Sequence, residues 1–289
     1  MDTREIVVGT EGSACATIAV RWAAEEAALR GAPLRVLLAH DTEWPGLRFG
    51  GEPGLYKLAD DQAEAILESA VRAARQVDEN LEIRTQRVVG LALPALLSAG
   101  EGAGMLVVGS RGHGGFASLL LGSVSQEVAC RAPCSVAVIR DARETGPVVV
   151  GSDGSDQARG AVEVAFQLAA ERRAPLLAVR AYYPPTLPFG FGYQALTYSL
   201  DVLDQTAQAE LAGELEPWRE KHPAVDVRAA IAHGGAAGAL VERSSNARLV
   251  VIGSRGHGAV TGAMLGSVGL QLLHHATCPV VWTHEGSHR

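Results

Sequence analysis

The residue types best suited to chemistry in this chain sit in two glycine-rich stretches. Gly109-Ser-Arg-Gly-His-Gly114 runs on to Leu121-Gly-Ser-Val124, and Gly253-Ser-Arg-Gly-His-Gly258 runs on to Leu265-Gly-Ser-Val268. Ten of the sixteen aligned positions are identical, and both copies read Gly-x2-Gly-x9-Gly-Ser. Each follows a short apolar run, Met105–Val108 or Leu249–Ile252. Glycine leaves backbone N–H groups bare, and the N-terminus of a following helix attracts anions. The chemistry expected here is therefore the holding of a phosphate chain. Gly122-Ser123-Val124 and Gly266-Ser267-Val268 would offer amides and one hydroxyl to phosphate oxygens. Arg111 and Arg255 sit inside the loops and could pair with phosphate or face water. At this point the competing reading, glycines that serve only a tight strand-to-helix turn, stays open.

Other chemistries find less support. No Gly-x4-Gly-Lys-Ser/Thr occurs, and Gly-x-Gly-x-x-Gly does not follow the first strand, so neither a P-loop nor a dinucleotide fingerprint is present. His113 and His257 invite a catalytic role, yet no Ser-His-Asp or Cys-His pattern accompanies them in either half. No residue is assigned as catalytic. Cys134 and Cys278 occupy equivalent places and read as core. Cys130 and Cys134 are spaced C-x3-C without a second ligand pair, which is weak for zinc. Cys15, near the start of the first helix, is the one thiol whose position suits acidification and a redox role.

These loops need elements to hold them, and the repeat extends through the whole chain. Glu5-Ile-Val-Val-Gly-Thr-Glu-Gly-Ser13 matches Pro147-Val-Val-Val-Gly-Ser-Asp-Gly-Ser155. Helical spacing follows over 16–30 and 158–172 (Ile18, Trp22, Ala23; Ala161, Ala165, Leu168), ended by Ala-Pro-Leu in both halves. Strands are expected at 34–39 and 176–181, then Gly/Pro/aromatic loops at about 41–57 and 182–195. Long amphipathic helices come next, with stripes from Ala59 to Val77 and from Leu196 to Trp218. Strands at 81–88 and 225–231, small helices at about 91–99 and 235–245, the glycine loops, and strands at 134–139 and 278–283 complete each half. Ser123-Val-Ser-Gln126 has capping-box spacing.

Each half thus reads βαβαβαβαβ. The fold class expected is α/β: two tandem doubly wound parallel five-stranded sheets, order 3-2-1-4-5, in domains 1–143 and 146–289. Ligands in such sheets bind at the carboxyl ends of the strands, at the switch point between strands 1 and 4. Gly9–Ser13 and Gly109–Ser123 converge there in the first half, and Gly151–Ser155 and Gly253–Ser267 in the second.

The bulk properties agree. The 289 residues are long for one domain and comfortable for two, and a net charge of −7 argues against nucleic acid as a main partner. Neither a signal peptide nor an apolar run of spanning length is found, so a cytoplasmic location without membrane contact is expected.

With both loops placed after strands, the sequence resembles the universal stress protein family in its tandem, ATP-binding form, over essentially the whole chain. Gly-x2-Gly-x9-Gly-Ser matches that family's nucleotide-binding signature. The resemblance implies that amides around Gly109, Gly112 and Gly122 hold phosphates in the first half, with Ser123 bonding a terminal oxygen. Gly253, Gly256, Gly266 and Ser267 would do the same in the second. It implies a ribose contact at Asp153, matched in the first half by the longer Glu11. Adenine would be seated by backbone around Ala39 and Ala181. Arg111, Arg255, Val124 and Val268 complete the expected sites. Mg²⁺ would accompany ATP, with Asp153 as the nearest ligand. The final strands, Val136–Ile139 and Val280–Trp282, would pair.

The function implied is nucleotide-dependent regulation of stress adaptation or growth state, with slow or no hydrolysis, because no general base, activated nucleophile or metal-carboxylate cluster is evident. Partners expected are ATP, a second copy of the two-domain chain and an unidentified protein. Two alternatives stand beside it. One is an ATP-cleaving enzyme of the same architecture, although neither Gly9-Thr-Glu-Gly-Ser13 nor Gly151-Ser-Asp-Gly-Ser155 carries the motif such enzymes use. The other is a partner-binding module with vestigial nucleotide sites.

Overall fold

The short, continuously apolar runs become strands buried on both faces, and the stretches with three-to-four spacing become the helices that cover them. The computed structural model describes residues 3–40, 53–112, 121–184, 200–254 and 265–284. They form two units, residues 3–142 with 279–284 and residues 143–254 with 265–278.

The first unit runs β1 (Ile6–Gly9), α1 (Ala14–Arg30), β2 (Leu34–His40), α2 (Pro53–Arg75), β3 (Ile83–Val89), α3 (Ala92–Gly100), β4 (Met105–Gly109), α4 (Ser123–Arg131) and β5 (Ser135–Ile139). The order is β3-β2-β1-β4-β5, all parallel, as the alternating pattern requires. Ile6 stands opposite both Leu34 and Met105, and every residue of β4 and β5 is buried. The edge strand β3 carries exposed Arg84, Thr85 and Arg87, which suits a rim that must not pair further. The last strand of the chain, β10 (Val280–Thr283), packs in this unit antiparallel to β5, with Val280, Val281 and Trp282 opposite Val138, Ala137 and Val136.

The second unit runs β6 (Val148–Gly151), α5 (Asp156–Glu171), β7 (Leu176–Tyr182), α6 (Leu200–Lys221), β8 (Val227–His233), α7 (Ala236–Ser244), β9 (Leu249–Gly253) and α8 (Ser267–His275). Its strands follow the order β9-β6-β7-β8, again parallel. No helix among the described residues is long and apolar enough to cross a membrane.

Strands β3, β8 and β10 each begin two residues later than expected, and both ends of one helix differ from the sequence reading. Helix α2 starts at Pro53, inside the span expected to be loop, because proline is preorganised for the first helical position. It ends at Arg75, so Val77 lies beyond it. The remaining loop residues, 41–52 and 185–195, lie outside the described residues, as does Leu196.

Candidate functional site

Strands β1 and β4 diverge into turns on the same edge of the first sheet, and a cavity of about 420 Å³ opens between them. All eight residues expected in the first half line it: Glu11, Ala39, Gly109, Arg111, Gly112, Gly122, Ser123 and Val124. The turn after β1 is set locally. Gly12 has φ +87°, a region that side chains rarely adopt, and its N–H donates to Thr10 Oγ1 at 3.3 Å. Ser13 then caps α1 by accepting from the Ala16 N–H at 3.1 Å.

The glycines divide by the reason each is needed. A Cβ on Gly9 would lie 2.8 Å from Leu96, and one on Gly109 3.0 Å from the backbone carbonyl of Cys15. Gly109 is demanded by packing, because backbone cannot turn aside, whereas at Gly9 the tip of the Leu96 side chain would have to give. A Cβ on Gly112 would meet the Glu11 carboxylate at 3.2 Å, so glycine there lets Glu11 lie against the loop. Gly122 is different. Its φ of −83° and ψ of 146° suit any residue, and the nearest atom to a Cβ stands at 3.6 Å. The fold does not require glycine at this point; close approach of a ligand to the backbone would.

Two details of the expected phosphate cradle are corrected. The Gly122 N–H donates to Ser110 O at 2.8 Å, so this amide is spent on closing the loop. The donors of the first helical turn beyond it are those of Ser123 and Val124, which have no partner within a helix. The capping box is not formed either. Ser123 has entered the helix, the Gln126 N–H bonds Gly122 O at 3.1 Å, and the cap residue Gly122 has no side chain to offer. A capping hydroxyl would satisfy the first-turn amides internally. Leaving them uncapped, at the positive end of the helix, keeps them for an anion. Ser125 Oγ donates to Gly109 O at 2.6 Å and ties α4 to the end of β4. Exposed Arg111 supplies a cation at the rim.

The second half repeats the scheme with different support. A Cβ on Gly253 would meet Gln157 O at 2.9 Å, while one on Gly266 (φ −61°, ψ 162°) has nothing within 4 Å among the described residues. Gly266 N–H donates to Ser254 O at 3.3 Å, so the first-turn donors with no partner within the helix are again those of the next residues, Ser267 and Val268. Asp153 and Ala181 line a cavity of about 1030 Å³ that extends along α6. Gly253, Gly266, Ser267 and Val268 belong to the end of β9 and the start of α8, apart from that cavity's described lining. Arg255 and Gly256 lie outside the described residues, as do His113 and His257. Asp153 Oδ1 accepts from the Ser155 N–H at 3.0 Å and from Ser155 Oγ at 2.6 Å. A single carboxylate here would suffice for a Mg²⁺ that arrived on a nucleotide, which needs only one or two protein ligands.

Several polar residues around the sites were missed from sequence. Arg180, buried on β7, bonds Glu210 at 3.0 Å and pairs with Glu214, whose other oxygen accepts from Ser152 Oγ at 2.6 Å. The available signal was a lone arginine in the apolar run Leu-Leu-Ala-Val-Arg-Ala-Tyr, with two glutamates four apart on the next helix. Nearby, Asp204 accepts from Tyr182 Oη at 2.6 Å and lies 2.7 Å from His233 Nε2. The tyrosine hydroxyl and then the histidine hold that carboxyl below its usual range, and the bond to Asp204 pushes the Tyr182 hydroxyl up to about 12. In the first unit the same place holds Asp60 paired with Arg87, whose Nε donates to His40 Nε2 at 2.8 Å. Cys134 is core, as expected, and burial pushes its thiol up to about 11.

The chain resembles known proteins along its whole length. Residues 3–140 and 144–284 each match the model of the universal stress protein family. "Universal stress protein Rv2005c" of Mycobacterium tuberculosis is 35% identical over 291 residues, covering 96% of this chain and 95% of that one. "Universal stress protein Rv2623" of the same organism is 33% identical over 294 residues, covering 97% and 96%. The crystal structure of a universal stress protein from Archaeoglobus fulgidus superposes with a TM-score of 0.69 over 98% of this chain and 96% of that one, at 20% identity, a likeness of fold. With a matching fold, two matching halves and full-length relatives, the chain belongs to the universal stress protein family.

Proposed function

We propose that the chain binds ATP at both switch points and acts as a nucleotide-dependent regulator of stress adaptation or growth state, with slow or no hydrolysis. The observation that carries this reading is the first cavity, where an uncapped helix N-terminus, a glycine the fold does not require and one cation face the same space. Backbone amides of Ser123 and Val124 and the Ser123 hydroxyl would take the terminal phosphates. Arg111 would neutralise them, Glu11 would accept from a ribose hydroxyl, and the backbone at Ala39 would meet the base. In the second half the roles fall to Ser267, Val268, Asp153 and Ala181, with Gly253, Arg255, Gly256 and Gly266 shaping the loop. Mg²⁺, when bound with ATP, would screen phosphate charge, and Asp153 is the side chain to receive it. Residues 1–143 and 146–289 form the two ATP-binding domains on this reading. The chain works in the cytoplasm, as a homodimer that reports to a protein partner.

The test is nucleotide content and affinity. Protein purified without added ligand, denatured and resolved by ion exchange, should release ATP approaching two per chain. Gly122→Glu and Gly266→Glu place a carboxylate where phosphate would sit, so each should remove one equivalent. No release, together with no binding by calorimetry, sinks the ATP reading and leaves an interaction module. Release of mostly ADP or AMP turns it toward hydrolysis.

A further inference from the structure

Helix α6 carries two poor helix formers in its interior, Gly213 and Pro217, one turn apart. In the first unit the matching positions of α2 hold Ser69 and Ala73, so the architecture does not call for either. Nothing among the described residues lies within 4 Å of a Cβ on Gly213, so packing does not ask for glycine. Pro217 has no N–H, so the Gly213 carbonyl loses the donor that an unbroken helix would give it. Both residues line the 1030 Å³ cavity of the second unit. Arg180 lines it from β7 and is only 8% exposed, and its Nε has no hydrogen-bond acceptor among the described residues. The cavity wall thus presents one acceptor and one donor whose usual partners are missing, and in a folded interior such groups ask for a partner.

The rest of the wall says what that partner is. Asp153, Glu210 and Glu214 border the cavity against Arg159 and Arg180, a balance that favours a cation. Glu210 bonds Arg180 yet keeps its side chain 64% exposed. Trp218 adds an aromatic face, and that ring already draws a cation, with Lys221 Nζ 4.2 Å from its centre. The first unit has Leu38, Ile66, Ala70 and Ala74 in the places of Arg180, Glu210, Glu214 and Trp218, so this set belongs to the second unit alone. We propose that the cavity along α6 binds an organic amine that also carries an apolar group and a neutral oxygen. The ammonium lies between the Glu210 carboxylate and the Gly213 carbonyl. The apolar group rests on Pro217 and Trp218, and the oxygen accepts from Arg180 Nε. An aromatic amino alcohol is the simplest compound with all three features. The proposal does not depend on nucleotide binding at the switch point.

The test titrates phenylethanolamine into the full chain, followed by ligand-observed NMR. Phenethylamine, which lacks the hydroxyl, and phenylethanol, which lacks the ammonium, are run beside it. The amino alcohol should bind saturably, and removal of either group should weaken binding roughly tenfold. Gly213→Leu fills open space in the groove with a better helix former, so it should abolish binding and leave the thermal unfolding midpoint no lower than in the parent. Glu210→Gln should weaken both amines roughly tenfold and leave phenylethanol unchanged. No saturable binding of phenylethanolamine by the parent overturns the proposal, as does binding that survives Gly213→Leu or Glu210→Gln unchanged. Equal affinity for phenylethanolamine and phenethylamine overturns the contact with Arg180.

Discussion

The turn that follows the first strand of each unit has one shape and two kinds of support. Gly12 and Gly154 have φ +87° and +82°, and each donates its N–H to the hydroxyl two residues before it, Thr10 or Ser152, at 3.3 Å. Ser13 and Ser155 both cap the helix that follows. Behind the first turn lies hydrocarbon: Ile66 stands 3.0 Å from a Cβ on Gly12, and Leu38 and Ala70 are buried. Behind the second, a Cβ on Gly154 would meet Glu214 at 3.1 Å and Arg180 at 3.3 Å. Arg180 takes the place of Leu38 on the second strand, and Glu214 that of Ala70 on the long helix. Two unrelated packing solutions have kept the same backbone path. What the halves hold in common is the geometry of the edge that faces the site, and this argues that the edge is what matters.

The largest effect should come from exchanging these supports. Leu38→Arg would bury a cation at a site 3% exposed, where the residue standing in the place of Glu214 is Ala70. It should cost about 4 kcal/mol or more, read as loss of the first unit's denaturant transition. Arg180→Leu strands Glu214, whose side chain is 20% exposed, and should cost about 2–3 kcal/mol. The double change Arg180→Leu with Glu214→Ala copies the first unit at those two positions and should return to within about 1 kcal/mol of the parent. If the double variant is as unstable as the single one, the two supports are not interchangeable and the comparison is wrong.

A smaller contrast separates glycines of packing from glycines of function. Gly109→Ala and Gly253→Ala each drive a methyl into helix backbone at 3.0 and 2.9 Å, where nothing can rotate aside. About 2–3 kcal/mol of stability should be lost in each. Gly122→Ala and Gly266→Ala meet no such contact and should stay within about 0.5 kcal/mol of the parent by urea denaturation. The same two variants should still lose nucleotide affinity by about tenfold, because a methyl narrows the approach to the helix amides. Equal stability losses at all four positions would return the whole motif to a tight turn.

Much of this was legible before any coordinates. Uninterrupted apolar runs such as Met105–Val108 told of strands covered on both faces, and the repeat fixed where two sites should lie. The first-half residues gathered as expected because the switch point follows from strand order alone. The polar supports were not legible. An arginine in Leu176–Tyr182 marks a charge on a strand, but which face it takes depends on register. Its partners lie 30 and 34 residues on, past a loop whose length differs from that in the first half. The idle capping box had a related cause. Spacing shows that Ser123 and Gln126 could close it, whereas the bond from Gly122 to Ser110 decides that the helix starts one residue too early for it.

The last contrast is in titration, and it is the smallest. Asp204 anchors the start of α6 through Tyr182 and His233, while Asp60 anchors α2 through Arg87. The Asp204 carboxyl is held below its ordinary 3.8, so its contribution is present above that pH and is lost only as the solution becomes more acid than the lowered value. Tyr182 moves the other way, from 10.0 to about 12. Its contribution is complete below pH 10 and fades as the pH rises through 12. Between those limits the Tyr182–Asp204 bond should keep its protonation states. The check is the phenolate absorbance of the five tyrosines, titrated in the parent and in Tyr182→Phe. The difference curve should show one tyrosine ionising near 12, and Asp204→Asn should draw that midpoint down toward 10. A difference curve already centred at 10 in the parent would mean that the Tyr182–Asp204 bond does not form in solution. The second unit would then hold its long helix by packing, as the first holds its glycine turn.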